Sequence, residues 1–212
     1  AEISDGHLYK ANDMVKADCG GCEGCSQCCR GMGNSIILDP YDVYRLTTGI
    51  GKSMQELLAT SVELNVVDGV ILPNLKMQGT REACAYLDAE GRCSIHPYRP
   101  GICRLFPLGR HYENGGLFYF LQTGGCAKEN RSKVKVSKWI DTPELKRNEQ
   151  FKLQWHDLLS AMTDRVAGED EGKQREENLL LLRLFYLLPY EGTTDFYSQF
   201  TERMEYWNEQ IR

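Results

Sequence analysis

Cys22-Glu23-Gly24-Cys25-Ser26-Gln27-Cys28-Cys29 sets four thiols within eight residues. A C-x2-C turn brings two sulfurs to one metal, because the backbone between them folds back and turns its amides toward the anionic sulfurs. Repeating the step brings a third sulfur close, and Gly20, Gly21 and Gly24 clear side chains from the tight winding. Cys28 and Cys29 are adjacent, so their side chains diverge and can serve two different centres. A vicinal disulfide is the competing reading, disfavoured by its strained geometry.

Cys84, Cys93, Cys103 and Cys126 follow this run, and Cys19 precedes it. Eight thiols, Cys22, Cys25, Cys28, Cys29, Cys84, Cys93, Cys103 and Cys126, divide naturally into two sets of four. Four is the number that a tetrahedral zinc and an iron-sulfur cube each require. The residues alone leave both the metal and the partition of the sets open. Cys19 extends the C-x2-C phase by one step, and the odd count of nine reads it as a spare thiol. A disulfide framework would ask for an oxidising compartment, an even count and a smaller chain. His96, three residues after Cys93, reads as a satisfied polar neighbour before a ligand. Arg99 and Arg104 stand beside Cys103 and either balance an anionic site or are ordinary surface arginines.

The 212 residues fit one domain, or one domain with an appended helical lobe. All nine cysteines lie between Cys19 and Cys126. The expected class is α+β: a loop-rich cysteine-cluster domain over 1–140, with short hairpins and helices, and a three-helix lobe over 141–212 packed on it as one structural unit. Asp39-Pro40 opens a helix that should stop near Gly49. Ser53-Met54-Gln55-Glu56 is a capping box that starts another. Asp68-Gly69 marks a turn between two strands, and Glu113-Asn114-Gly115-Gly116 marks a hairpin. Ala83 to Leu87 and Cys93 to His96 flank a polar turn, which predicts a hairpin with Cys84 and Cys93 on its arms. Thr142 and Pro143 start a helix reaching Val166; Lys173 to Leu188 is the next, stopped by Pro189; Asp195 to Ile211 is the last.

A net charge of −5 argues against nucleic-acid binding, which needs a basic face. Arg131, Lys133, Lys135 and Lys138 alternate with Val134 and Val136 and read as a solvated strand edge before an acidic-partner site. The apolar run Leu179 to Leu188, interrupted by Arg183, is too short to span a bilayer. Ala1 to Asp18 is polar and does not read as a secretory signal, so the expected compartment is the cytoplasm. There is no Gly-rich nucleotide fingerprint, and Met32 occupies the third place of a radical-type C-x3-C-x2-C spacing.

These cysteines, with Cys84-Ala85-Tyr86-Leu87 and Cys93-Ser94-Ile95-His96-Pro97-Tyr98-Arg99-Pro100-Gly101-Ile102-Cys103-Arg104-Leu105-Phe106-Pro107, make the chain resemble the CxxCxxCC family of zinc- or iron-chelating domains, the YkgJ-like cysteine-cluster proteins. The resemblance covers a little over half the chain, leaves Cys19 outside the shared eight, and finds His96 where the family often has tyrosine. It implies metal chelation by the eight cysteines. Larger relatives resemble flagellin lysine N-methylases that carry an iron-sulfur cluster. On that resemblance the cofactor is expected to be an iron-sulfur cluster of the 4Fe-4S type, with zinc as the alternative. A cluster-dependent enzyme that methylates a protein or peptide is the sharper functional expectation. A zinc-stabilised structural or partner-binding module, or a metal-delivery or redox-sensing protein, is the alternative.

Overall fold

The computed structural model describes residues 3–20, 25–128 and 130–211. Its regular elements run β1 (Met14–Asp18), α1 (Pro40–Ile50), α2 (Met54–Thr60), β2 (Val62–Val67), β3 (Val70–Leu75), β4 (Met77–Gln78), β5 (Ala83–Cys84), α3 (Gly101–Leu105), β6 (Leu108–Glu113), β7 (Gly116–Leu121), β8 (Ser132–Lys135), α4 (Val136–Ile140), α5 (Leu145–Val166), α6 (Glu171–Leu182) and α7 (Phe196–Gln210). The class is α+β. The strands form four separate antiparallel pairs, β1–β8, β2–β3, β4–β5 and β6–β7. Among the described residues no helix is long and apolar enough to cross a membrane.

The chain divides into two compact units. The first comprises Ala1–Gly33, Met77–His96 and Gly101–Leu153, and the second comprises Asn34–Lys76, Pro97–Pro100 and Gln154–Arg212.

In the first unit the alternation of β1 buries Val15 and Ala17 and leaves Met14 and Lys16 outside. The buried pair meets Leu105, Leu108, Tyr119, Leu121, Val136 and Ile140 in one core. Each of the valines, leucines and the isoleucine contributes roughly 1.5–3 kcal/mol on burial. Trp139 of α4 donates its indole N–H to the carbonyls of Leu105 and Phe106, both at 3.2 Å, which fixes the end of α3. The β6–β7 hairpin turns through Asn114 (φ 50°) and Gly115 (φ 69°), the paired positive angles of a tight two-residue turn. Lys133 and Lys135 fit the solvated-edge reading on β8, whereas Arg131 is half-buried ahead of it and Lys138 is exposed on α4, whose first residue, Val136, is buried.

In the second unit both expected helix starts are capping boxes, Asp39 with Asp42 on α1 and Ser53 with Glu56 on α2. α1 passes through Gly49 and stops at Gly51, which takes the left-handed conformation at φ 71°. The reason Gly49 lacks a side chain is instead a close approach: a Cβ there would stand 2.3 Å from Cδ1 and 2.5 Å from Cγ of Tyr98. Overpacking costs about 1–3 kcal/mol, against the roughly 1 kcal/mol that alanine gains over glycine inside a helix. Gly49→Ala is therefore expected to destabilise by about 1 kcal/mol in denaturant titrations, and a variant more stable than the parent would refute the packing account.

The β2–β3 hairpin turns at Asp68 (φ 50°) and Gly69 (φ 83°). Asn178 of α6 clasps that hairpin: its Oδ1 accepts from the Ile71 N–H at 2.6 Å, and its Nδ2 donates to the Gly69 carbonyl at 3.2 Å. Tyr186 donates its hydroxyl to the Leu38 carbonyl at 3.1 Å. α6 is capped by Asp170 and runs into a π-helical turn over Arg183–Leu187.

Arg203 of α7 serves the backbone within and just beyond that turn. It donates to the carbonyls of Leu184 (2.7 Å), Leu188 (3.0 Å) and Pro189 (2.8 Å), with its guanidinium 3.6 Å over the Tyr190 ring. Only the Leu184 bond is fully buried, so Arg203→Met is expected to cost about 2–3 kcal/mol. In a chain of this length that is a fall in Tm of roughly 5–10 °C. Arg203→Lys should recover less than half of it, since an ammonium has no planar fork to span three carbonyls; full recovery by lysine would overturn this reading.

Two expectations are revised. Ala83–Cys84 pairs with Met77–Gln78, and the segment from Leu87 to Cys93 closes through a single bridge, so there is a tight polar turn where a hairpin was expected. Asp88 makes that turn, accepting the Arg92 N–H on its side chain at 2.7 Å and donating its own N–H to the Arg92 carbonyl at 2.9 Å. α5 starts at Leu145, after Pro143, because Glu144 takes a positive φ of 49° and its carbonyl accepts the first helical bonds from Arg147 and Asn148.

Candidate metal centre

Local structure in the first unit brings separated cysteines together. Ser26 accepts the Cys29 N–H at 3.0 Å and Gln27 the Arg30 N–H at 3.1 Å, a single 3-10 turn over Gln27–Cys29. Arg30 then bridges Ala83, and Gly31 donates to the Glu82 carbonyl at 2.9 Å. That register sets Cys29 and Cys84, each one residue from the bridge, side by side. The Leu87–Cys93 bridge returns Cys93 toward Cys84, and α3, held by Trp139, presents Cys103.

Electrostatics record the result. The Cys29 thiol is pushed well above the ordinary thiol range, first by its hydrogen bond with Cys28, then by burial, then by the charges of Cys28, Cys103 and Cys84. Cys84 is raised by burial foremost, with Cys93 and Cys28 adding to it and a backbone hydrogen bond from Tyr86 opposing. Cys28, Cys84 and Cys103 thus lie near Cys29, and Cys28 and Cys93 near Cys84, and their proximity and burial set a barrier to thiolate formation at these two residues. A bound cation removes that barrier by taking the place of the protons.

Cys19, Cys25, Cys28 and Cys126 line a small cavity of about 20 Å³ with Phe106, Pro107 and Lys128. Cys126 reaches it through the turn at Gly124 (φ 73°) and Gly125, where the Phe106 ring packs 3.3 Å from the position of a Cβ. Cys19 follows β1, whose last residue, Asp18, pairs with Ser132 at the start of β8.

Cys22 lies outside the described residues. The other seven expected ligands divide between the neighbourhood of Cys29 and the cavity, and Cys28 belongs to both. All eight described cysteines are half-buried, accessible to an entering ion yet partly shielded from water. The donor set fits a thiophilic metal in its chemistry. Among the described residues no three Cys, His, Asp or Glu side chains are already arranged to hold an ion.

The surrounding residues sort differently from their sequence positions. Arg104 is buried and donates to the Asp141 carbonyl at 3.0 Å, at the end of α4, with the Asp141 carboxylate 3.7 Å away. Arg99 belongs to the second unit, with its Nε buried and lacking a hydrogen-bond partner. His96 is exposed, its N–H donated to the Cys93 carbonyl at 3.2 Å. The residue that sequence reasoning set aside is Cys19, whose signal was the three-residue step to Cys22.

No curated protein and no solved structure matches the chain. Residues 21–134, more than half of it, match the model of the CxxCxxCC family, described as a putative zinc- or iron-chelating domain. The chain therefore belongs to the CxxCxxCC family of zinc- or iron-chelating domains.

Proposed function

We propose that this protein binds iron as iron-sulfur clusters of the 4Fe-4S type through Cys22, Cys25, Cys28, Cys29, Cys84, Cys93, Cys103 and Cys126. The observation that supports chelation is that the Arg30–Ala83 bridge sets Cys29 beside Cys84, where neighbouring cysteines and burial raise both thiols. An all-sulfur donor set suits iron-sulfur clusters and zinc alike. The preference for iron rests on the likeness of the cysteine pattern to cluster-bearing lysine N-methylases, and in that reading the substrate is a protein or peptide. A bound cluster would supply redox or Lewis-acid chemistry; the chain's own part is to hold it and to limit water at it through half-buried thiols and the Phe106 wall. In this reading the cysteine-bearing part over 1–140 is the metal-chelating domain, 141–212 is the helical lobe, and the protein works in the cytoplasm, where thiols stay reduced.

The test is metal content, acid-labile sulfide and visible absorption of protein purified without oxygen. Iron with stoichiometric sulfide and a brown chromophore is expected. Colourless protein with zinc and no sulfide would overturn the cluster assignment while keeping the chelation.

A further inference from the structure

We infer that the outer edge of β2 is a self-association surface, on which a second copy of this chain adds its own β2 antiparallel, about a two-fold axis at Asn65. The inference stands on backbone geometry within the second unit and is independent of the chelating function proposed above.

Hydrogen-bond direction identifies the open groups. On β3 the Ile71 N–H is donated to Asn178 Oδ1 at 2.6 Å, the Pro73 carbonyl accepts the Leu38 N–H at 2.8 Å, and the Leu75 N–H is donated to the Ile36 carbonyl at 3.0 Å. These three residues therefore point away from β2. In an antiparallel pair, two residues directly opposite either bond each other or both point away. Opposite them stand Val66, Leu64 and Val62. The N–H and C=O of Leu64 and Val66 thus face outward from β2, and among the described residues they make no hydrogen bond. Other strand edges are covered: residues 36–38 and Asn178 meet that of β3, and Ser4 and Tyr9 bridge that of β7. β2 has none of the usual guards, for it carries neither proline nor lysine and keeps an unbroken register from Val62 to Val67.

The side chains identify the occupant. Leu64 is 43% exposed and Val66 67%, and strand alternation puts both on one face. A two-fold axis at Asn65 brings Leu64 opposite the partner's Val66, and Val66 opposite the partner's Leu64. All these positions face outward, so each pair exchanges two N–H···O=C bonds while its apolar side chains cover one another. An axis at Leu64 would set Val66 against the partner's Val62, which is already buried. An axis at Val66 would set Leu64 against the partner's Asp68, and one at Glu63 would oppose two carboxylates. Only the Asn65 axis gives both exposed side chains an exposed apolar partner. The other face of β2 is satisfied within the chain, where Asn65 Nδ2 donates to Asn74 Oδ1 at 2.6 Å and Asn74 Nδ2 to Glu63 Oε1 at 3.2 Å. Pairing of this kind joins two hairpins into one sheet and removes the open edge, over a contact small enough to be reversible.

The test is sedimentation velocity of the full chain over a concentration series, for the wild type, for Leu64→Glu and Val66→Lys separately, and for an equal mixture of the two variants. The wild type is expected to shift from monomer to dimer as concentration rises. Each variant alone is expected to self-associate at least about 10-fold more weakly, since a charge replaces one member of both apolar pairs. The mixture is expected to recover association, because in this register the new carboxylate of one chain lies opposite the new ammonium of the other while one apolar pair is retained. Both positions are exposed, so the variants keep the fold, which circular dichroism checks. A wild type monomeric at every concentration would overturn the inference and leave the edge to an extended segment of another protein. A dimer indifferent to both substitutions, or variants that fail to recover on mixing, would overturn it as well.

Discussion

Cys29→Ser is expected to lower the metal content of the protein and to cost more stability than a large-to-small core change. Cys29 is the thiol on which the hydrogen bond with Cys28, burial and the charges of Cys28, Cys103 and Cys84 all act. In a loop-rich segment held by single bridges at Arg30–Ala83 and Leu87–Cys93, a bound metal would replace much of what a core would otherwise supply. Metal binding free energy is then folding free energy, up to roughly 10 kcal/mol for a structural thiolate site, beyond the 2–5 kcal/mol of a large-to-small core change. Metal analysis after desalting, together with thermal unfolding, reads both consequences. A serine variant with full metal content and an unchanged Tm would remove Cys29 from the ligand set. Because the metal must displace protons from thiols, retention should also weaken as pH falls.

The second large effect belongs to Lys152. It is buried on α5, one turn after the buried Asn148, with its ammonium nitrogen 5.3 Å from the Phe151 ring centroid. Burial pushes its pKa down from the ordinary 10.5 to about 7. Between those two values the unfolded chain binds a proton that the folded chain lacks, so stability rises with pH across the window from about 7 to 10.5. Below pH 7 the folded state carries the cost of a buried ammonium, on the order of 5 kcal/mol. Lys152→Met keeps the unbranched stem and removes the titration. It is expected to gain about 1–4 kcal/mol at pH 7, with the gain shrinking toward pH 10. The difference between the urea-derived stabilities of the two proteins across that range isolates Lys152 from the cysteines and tyrosines, which titrate in both. Parallel curves would refute the burial account.

Local chemistry made much of the fold legible. The carboxylate of Asp39 and the hydroxyl of Ser53 cap the helices that follow them, and Asp68-Gly69 and Asn114-Gly115 form the tight hairpin turns their residue types favour. Each of these devices acts within four residues, so the sequence states it directly. The edge character of Lys133 and Lys135 was legible for the same reason. Where reading failed, a local signal had a rival at a distance. Gly49 looked like a helix stop, yet its small size serves the Tyr98 ring; Ala83–Cys84 looked like one arm of a hairpin, yet its ladder partner is Met77–Gln78.

By itself, the sequence determined the chemistry: a thiol-rich chain whose ordered cysteines mark a zinc- or iron-chelating domain, in an α+β fold with its helices and turns signposted. Only the tertiary structure decided which thiols meet. The sulfur of Cys29 comes beside Cys84 because Arg30 bridges Ala83, and Cys19 reaches the wall that carries Cys126 after β1 pairs with β8. Ligand type is a property of the residue, but ligand grouping is a property of backbone hydrogen bonds made between segments tens of residues apart, whose pairing no spacing rule encodes.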